Sequence, residues 1–305
     1  METLTSEKAS LKSRASTFLK ELQGKICAAI ESVDGQKRFS IDRWDHPHGG
    51  GGDTRIIEQG GVFEKGGVNF SDVRGELSER LAQRLKVPPQ AFQATGISVV
   101  LHPCNPMIPT AHFNLRYVEV ENGDRWFGGG TDLTPYYLNE QDITHFHTTL
   151  KRVCDRHNPS YYPLFKKWCD EYFFIKHRHE ERGVGGIFFD DLREQPEQSF
   201  AFVQDVGNAF LEAYIPIVNN RKKDQWGDAE RQWQLHRRGR YVEFNLTYDR
   251  GTLFGLETDG RIESILMSLP PVVEWKYNFQ PKPDSREAKL LDVLTKPKDW
   301  ITLQV

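Results

Sequence analysis

The sequence predicts an α+β fold, in which an antiparallel sheet is covered by helices. Segments with the alternating pattern of strands lie between segments with the three-to-four-residue apolar spacing of helices. They do not follow the regular strand-helix order of a doubly wound sheet, and neighbouring strands suit antiparallel pairing. The 305 residues contain no repeat and no linker long enough to divide them, so we expect a single domain over residues 1–305.

The N-terminal segment has the pattern of an amphipathic helix. Its apolar residues recur at spacings of three, four or seven between Leu11 and Val33, and the pattern stops at Asp34 and Gly35. We therefore expect residues 1–35 to contain a helix that packs on the rest of the domain.

The stretch that follows, "HPHGGGGDTRIIEQGGVFEKGG", is rich in glycine. It has neither the Lys-Ser/Thr pair of a phosphate loop nor the helix-opening context of a dinucleotide fingerprint. The glycines therefore predict tight turns and close approach of the backbone rather than a nucleotide site.

Residues 97–102 and 111–120 alternate between apolar and polar side chains and predict two strands. If the proline-rich stretch between them is the turn of a hairpin, Ser98 and His102 share a sheet face with the polar residues of the second strand. The second strand divides into polar His112, Asn114 and Arg116 on one face and apolar Phe113, Leu115 and Tyr117 on the other. The polar face is either a chemically equipped site or a surface turned to water.

Two helices are predicted in the middle of the chain. The first covers residues 140–156, with Asn139 as its N-cap and His147 close to its apolar stripe. The second covers about 162–182 and ends at the glycines of "GVGG". His177 lies off the stripe of this second helix, so we expect its side chain to be exposed.

The segment "RYVEFNLTYDRGTLFGLETDGRIESILM" alternates in the manner of a three-stranded meander, with turns at "DRGT" and "TDGR". Its apolar residues Val242, Phe244 and Leu246 would lie on one side of the sheet. We expect this surface to contribute to dimerisation, because it is larger than one small domain needs.

The charge balance argues against some classes of partner. With 40 basic and 43 acidic residues the net charge is −3, so bulk charge does not favour binding to nucleic acid or to a membrane surface. No stretch approaches the roughly 18 apolar residues of a transmembrane segment, and the N-terminus mixes glutamates with its lysines, unlike a secretory or transit signal. The four cysteines are scattered without a C-x-x-C pair. We expect a soluble, cytoplasmic protein.

Several side chains suit an acidic ligand. Arginines are numerous, and the guanidinium group holds a carboxylate through two parallel hydrogen bonds. His112 beside Arg116 suits proton transfer to such a ligand. Asp249 and Arg250 next to Gly251 present an acid and a cation together, although a simple hairpin turn uses Asp and Gly in the same way. The residues alone predict a soluble enzyme with a polyanionic substrate.

Four histidines, His102, His112, His147 and His177, are candidates for a metal site. Their separations of 10, 35 and 30 residues match no compact metal-binding signature. Metal ligation, acid-base catalysis and a structural hydrogen-bonding role therefore all stay open for them.

A series of motifs carries a more specific resemblance. "HPCNPMIPTAHFNLRY", "WFGGGTDLTPYY", "RGVGGIFFDDL" and "RRGRYVEFNLTYDRGTLFGL" follow one another between about Gly49 and Trp300. Together they resemble the family of oxygen-dependent coproporphyrinogen III oxidases. The resemblance implies a homodimer built on a large antiparallel sheet flanked by helices on both sides. It also implies an enzyme of haem biosynthesis that converts coproporphyrinogen III to protoporphyrinogen IX. Two propionates become vinyl groups by oxidative decarboxylation, with O2 as acceptor and with release of CO2 and H2O2.

The same resemblance implies roles for individual residues. His112 corresponds to the proton donor, while Asp132, Asp249 and Arg250 correspond to the acid and guanidinium groups near the macrocycle. Asp259 stands where relatives often have glycine, so it would contribute its backbone. The implied substrate contacts are Ser98, Asn114, Leu115, Arg116, Asp259, Gly260 and Arg261.

The resemblance leaves the metal question open. His102, His112, His147 and His177 match the positions of a divalent metal in bacterial relatives, whereas eukaryotic relatives are treated as needing neither a metal nor an organic cofactor. We expect no organic cofactor. Two alternatives compete with the oxidase: a histidine-ligated metal oxygenase of another acid, and a tetrapyrrole-binding carrier without catalysis.

Overall fold

A seven-stranded antiparallel sheet forms the centre of the protein, as a computed structural model shows for residues 9–77, 79, 82–83, 88–257, 260–296 and 298–301. The first six strands are neighbours in chain order, and the last strand pairs with the sixth, giving the order β1-β2-β3-β4-β5-β6-β9. A separate two-stranded sheet contains β7 and β8. The strands are β1 (Ser40–Asp45), β2 (Gly50–Glu58), β3 (Phe63–Glu76), β4 (Ala91–Pro103), β5 (Thr110–Val120), β6 (Arg125–Thr134), β7 (Phe174–Ile175), β8 (Glu180–Glu181) and β9 (Gly186–Leu192).

Helices lie on both faces of this sheet, which confirms the predicted α+β fold. One face, with Phe113 and Leu115, packs against the first and fourth helices and forms the main hydrophobic core. The opposite face carries polar side chains and is covered by the fifth to seventh helices. The helices are α1 (Leu11–Asp34), α2 (Glu140–His157), α3 (Tyr161–Phe173), α4 (Pro196–Arg221), α5 (Asp228–Thr247), α6 (Arg250–Glu257), α7 (Ile262–Leu266) and α8 (Arg286–Thr295).

The predicted N-terminal helix is confirmed by α1. The Ser10 hydroxyl caps its first turn by accepting a hydrogen bond from the Ser13 N–H. At the other end, Gly35 adopts φ 72°, and its N–H closes the last turn on the Glu31 carbonyl. A side chain rarely adopts this left-handed backbone, so a glycine ends the helix here.

The predicted hairpin is also confirmed, with a longer first strand than expected. Ser98 lies opposite Asn114 in the register between β4 and β5, and Gly96 lies opposite Arg116. Directly opposite residues project to the same face of a sheet. Ser98, His102, His112, Asn114 and Arg116 therefore share one face, as predicted.

The two helices predicted in the middle of the chain differ in outcome. Asn139 caps α2 by accepting a hydrogen bond from the Asp142 N–H, and His147 is fully buried, both as predicted. The second helix ends at Phe173 rather than near residue 182, so that prediction is wrong. Residues 174–181 instead form the small hairpin of β7 and β8, which the main-chain bond from Arg182 N–H to the Phe173 carbonyl closes.

The predicted C-terminal meander is wrong, because this part of the chain contains the helices α5 (Asp228–Thr247), α6 (Arg250–Glu257) and α7 (Ile262–Leu266). The alternating pattern misled because α5 is buried on more than one side. Val242 and Phe244 are buried within the chain, whereas Leu246 is exposed. The apolar strand surface proposed for dimerisation therefore does not exist in that form.

Among the described residues, no helix combines the length and the apolar character needed to cross a membrane.

Candidate active site

The polar face of the central sheet carries a continuous row of side chains across five strands. Register places Asp42, Thr54, Asn69, Ser98 and Asn114 opposite one another in turn. The Thr54 hydroxyl lies 2.7 Å from Asn69 Oδ1. It also lies 2.8 Å from the hydroxyl of Ser264, a residue of α7. This face is therefore a built polar surface between the sheet and α7.

His112 is the centre of the best-ordered network on this face. Its Nδ1–H donates to Asp132 Oδ1 over 2.9 Å, since β5 and β6 place the two residues directly opposite each other. Arg182 approaches Asp132 from the other side, with Nη2 2.9 Å from Oδ1 and 2.8 Å from Oδ2. The other guanidinium nitrogen donates to Asn245 Oδ1 over 3.1 Å. The ring of His112 is thus fixed through Nδ1.

The electrostatics of this network keep Asp132 ionised. Burial alone would raise the pKa of Asp132, but the guanidinium charge of Arg182 and the hydrogen bond from His112 hold it below its ordinary value. Arg182 is itself buried against aromatic rings. Its guanidinium carbon lies 4.0 Å from the centre of the Phe173 ring and 4.8 Å from that of Tyr241. Such faces stabilise a cation that has lost its water.

Two predicted substrate arginines lie on the same face, each paired with an aspartate. Arg116 contacts Asp190 of β9, with Nη2 2.7 Å from Oδ2. Arg261 contacts Asp42 at the start of the polar row. Both side chains are partly exposed and remain within reach of an added ligand.

The predicted substrate contact at Leu115 is restricted by the register. Its side chain is 1 % exposed and packs in the core on the opposite face, so only its main chain could contact a ligand. Asp259 lies outside the described residues. Gly260 donates its N–H to the Gly255 carbonyl at the end of α6, beside Arg261.

Asp249 is the first-turn cap of α6 rather than part of a hairpin turn. Its Oδ2 accepts from the Thr252 N–H over 2.8 Å, and its Oδ1 accepts from the Tyr172 hydroxyl over 3.0 Å. The Arg250 N–H donates to the same hydroxyl, and its guanidinium lies over the Tyr172 ring at 5.3 Å. Tyr172 stacks on Phe188 with ring centres 4.3 Å apart. Since Phe188 lies opposite Gly130 on the polar face, Asp249 borders the same site as His112.

The four candidate metal ligands do not form one ligand set. His102 donates to the Ser268 carbonyl over 2.8 Å, and burial lowers its pKa well below the ordinary value. His147 lies between the Tyr162 hydroxyl at 2.9 Å and the Val184 carbonyl at 3.1 Å, and burial lowers its pKa to about 3.

His177 is exposed, as expected, and donates to Glu243 over 2.7 Å. Within the part of the chain that the structure describes, no group of three or more His, Cys, Asp or Glu side chains is arranged to hold a metal ion. The histidines present therefore do not fit a shared divalent metal, and the metal assignment stays an unsupported prediction.

Residue patterns missed several members of this site. Arg182, Tyr172 and Asp190 contact predicted residues, and Asn245 contacts Arg182, but the four come from different elements or loops. Arg182 and Asp190 both lie within the motif "RGVGGIFFDDL", although nothing in its spacing assigns a partner to either. Only the pairing of distant strands reveals their roles.

The fold and the site suit one class of protein, an enzyme acting on a carboxylate-bearing molecule, because a carboxylate-supported histidine can transfer protons and partly exposed arginines can bind carboxylates. Comparison with known proteins agrees. The model of the family "Coproporphyrinogen III oxidase" matches residues 14–300. A curated relative from Drosophila melanogaster, named "Oxygen-dependent coproporphyrinogen-III oxidase", is 52 % identical over 315 residues, which cover 98 % of this chain and 80 % of the relative. The chain belongs to the coproporphyrinogen III oxidase family.

Proposed function

We propose that this chain is an oxygen-dependent coproporphyrinogen III oxidase, an enzyme of haem biosynthesis. It converts coproporphyrinogen III to protoporphyrinogen IX by turning two propionates into vinyl groups. Each conversion releases the carboxyl carbon as CO2 and transfers two electrons and two protons to one O2, giving H2O2. The observation that carries the proposal is the His112–Asp132 pair on the same sheet face as Arg116, together with the family of the chain.

Substrate binding is assigned to the perimeter of the polar face. Arg116 and Arg261 bind propionates through their guanidinium groups, which the partial exposure of both side chains supports. Ser98 and Asn114 supply hydrogen bonds to the ligand from the polar row of the sheet. The main chain of Leu115, Asp259 and Gly260 contributes further contacts.

His112 is assigned the role of proton donor. Asp132 and Arg182 fix its ring through Nδ1, and among the described residues no protein group hydrogen bonds to its Nε2. Nε2 is therefore the nitrogen available to a ligand. A carboxylate behind the imidazole also orients the ring for proton transfer.

Asp249 is assigned the role of acceptor for a pyrrole N–H proton. Arg250 is assigned the role of balancing the negative charge nearby. Loss of that proton makes the ring more electron-rich and more reactive towards O2. A peroxide formed at the ring can then remove a propionate β-hydrogen as CO2 leaves. Asp249 suits this role better than Asp132, because its side chain is only half-buried and its hydrogen-bond donors, the Tyr172 hydroxyl and the Thr252 N–H, are neutral. Asp132 is buried between Arg182 and His112.

The porphyrinogen supplies the electrons and O2 accepts them, so the proposal assigns no step to an organic cofactor. It assigns no step to a metal either, because the four histidines have separate partners. The protein contributes positioning and charge stabilisation.

A homodimer is part of the proposal, with a different surface from the one that the sequence pattern suggested. Large exposed hydrophobic side chains concentrate between residues 246 and 279, among them Leu246, Ile262, Trp275 and Tyr277. If these side chains lie on one surface, they form a patch of the kind that interfaces use. Sedimentation should show a dimer, and a monomer at all micromolar concentrations would contradict it. The cytoplasmic location stays a prediction, which the four free cysteines support.

A product assay tests the function directly. The purified protein is incubated with coproporphyrinogen III in air and under nitrogen, and the porphyrins are analysed by mass after oxidation. The oxidase should form mono- and divinyl products only in air. Binding without vinyl products would favour the carrier. Loss of turnover after chelation, restored by a stoichiometric metal, would favour the histidine-ligated oxygenase.

A further inference from the structure

Arg116, assigned above to bind a propionate, already has a carboxylate partner within the chain. Its Nη2 lies 2.7 Å from Asp190 Oδ2, and the two side chains are 36 % and 29 % exposed. Its Nη1 also donates to Asn114 Oδ1 over 3.3 Å. A guanidinium group has five N–H donors, so a ligand carboxylate can approach this pair and compete for it.

The register of the sheet brings Asp190 to Arg116: Phe189 lies opposite Gly129, and the neighbouring Gly128 lies opposite Arg116. The strand pairing becomes irregular directly after Asp190. Between Phe127–Leu192 and Gly129–Phe189 the register of β6 and β9 shifts, with one extra residue in β9. Asp191 at this bulge has φ 58°, and its N–H donates to Asp190 Oδ1 over 2.9 Å. Bulges of this kind redirect a side chain and are common beside active sites.

Gly128 of β6 provides the space between the two partners. A Cβ atom at Gly128 would lie 2.5 Å from Asp190 Oδ1 and 2.9 Å from Arg116 Cζ. A larger residue at this position would therefore require the ends of these two side chains to shift. The glycine thus leaves room for the Arg116–Asp190 pair as it is observed.

We propose that Asp190 is an internal counter-ion of Arg116 that competes with the carboxylates of a ligand. This competition sets how strongly the site distinguishes ligands that carry different numbers of carboxylates. The inference rests on the proposed function. Its logic follows from the reaction, which removes carboxylates from the bound molecule as CO2. A half-buried guanidinium that loses its ligand carboxylate would be left unpaired, which costs free energy. Asp190 then takes the place of the lost carboxylate.

Arg261 repeats the arrangement with a second internal partner. Asp42 contacts its Nη2, while its Nη1 is buried without a hydrogen-bond partner among the described residues. Both arginines assigned to propionates are thus paired with an aspartate of a different element, which supports a common purpose.

Equilibrium binding of two stable porphyrins tests the proposal without turnover. Coproporphyrin III has four carboxylates and protoporphyrin IX has two, and fluorescence quenching gives the Kd of each. Asp190→Asn keeps the size and one acceptor but removes the charge. It should tighten binding of coproporphyrin III about three- to tenfold, the scale of one partly exposed charge pair, and leave protoporphyrin IX within twofold.

Two further variants decide between this role and simpler ones. Asp191→Asn removes the same charge from the neighbouring residue, which is paired with Arg193, and should leave both Kd values unchanged. In an Arg116→Ala background, Asp190→Asn should no longer tighten binding.

Weaker or unchanged binding of coproporphyrin III by folded Asp190→Asn would overturn the proposal and make Asp190 a positioning residue for Arg116. Equal tightening in the Arg116→Ala background would overturn it as well, because a general field effect would explain the result. Failure of the proposed function itself has a separate signature: wild-type protein that neither binds coproporphyrin III nor forms vinyl products.

Discussion

Asp132 and Asp249 border the same sheet face but are held in opposite ways. The side chain of Asp132 is 2 % exposed and takes all its contacts from Arg182 and His112. Asp249 is half-buried, caps α6, and shares Tyr172 with Arg250. A buried carboxylate with charged partners is suited to fixing a neighbour, whereas an accessible one can exchange protons with a ligand. Of the four predictions below, given from the largest expected effect to the smallest, the first two test that division and the other two extend it to Arg116 and His147.

The largest effect is expected for Asp249→Asn. Asparagine can retain the helix cap, so substrate affinity should change little. Turnover should fall by about two to four orders of magnitude, because the variant lacks the proton acceptor. Steady-state kinetics should therefore show a reduced kcat with a similar KM. Asp205→Asn, on α4 and paired with His157, is the matched control. Near-normal kcat in Asp249→Asn would reduce Asp249 to a helix cap.

The main effect of Asp132→Asn should be a lower free energy of unfolding. The change leaves the guanidinium of Arg182 buried without its anion, which typically costs about 3–5 kcal/mol of unfolding free energy. Urea unfolding at pH 7 measures this cost. The double variant Asp132→Asn with Arg182→Met should recover part of it, since no unpaired charge remains. A single variant as stable as the wild type would show that the pair does not hold the network together.

Arg116→Ala should weaken substrate binding by about 1.5–3 kcal/mol, the range for a lost charged hydrogen bond. The expected signature is a raised KM and a raised Kd for coproporphyrin III. Arg152→Ala, on α2 and paired with Glu212, controls for the loss of one surface charge. Unchanged affinity in a folded Arg116→Ala protein would remove Arg116 from the binding site.

The smallest effect separates a structural histidine from a catalytic one. Burial lowers the pKa of His147 to about 3, while an unfolded histidine has a pKa of about 6.5. Between these values the unfolded chain binds a proton that the folded chain does not, so stability falls as pH falls below about 6.5. From pH 7 to 5.5 the contribution should be about 1 kcal/mol.

His147→Gln should lose that part of the pH dependence. Urea unfolding at the two pH values compares the slopes of the variant and the wild type. Identical slopes would mean that His147 is protonated equally in both states of the wild type. The comparison between a buried structural histidine, His147, and the ligand-facing His112 would then fail.

The sequence predicted the elements whose pattern is local. α1 and the hairpin of β4 and β5 have one apolar face against one core, so periodicity reports the face correctly. The segment now known as α5 is different. Tyr241 and Phe244 pack against His102 and Phe173 while Val242 is buried too. Burial on several sides removes the helical period and leaves an alternation that imitates strands.

The sequence by itself determined the α+β class, the shared polar face of Ser98, His112, Asn114 and Arg116, and the family through its ordered motifs. Only the tertiary structure decided which partner each polar group has. Arg182 pairs with Asp132 from 50 residues away, and the pairing of β6 with β5 and β9 brings Asp190 to Arg116. The propensity for helix or strand depends on residues that are close together in the chain. The partner of a buried charged group depends instead on which distant strands the fold places side by side. The division between the four histidines, with one facing the site and the others in separate networks, has the same origin.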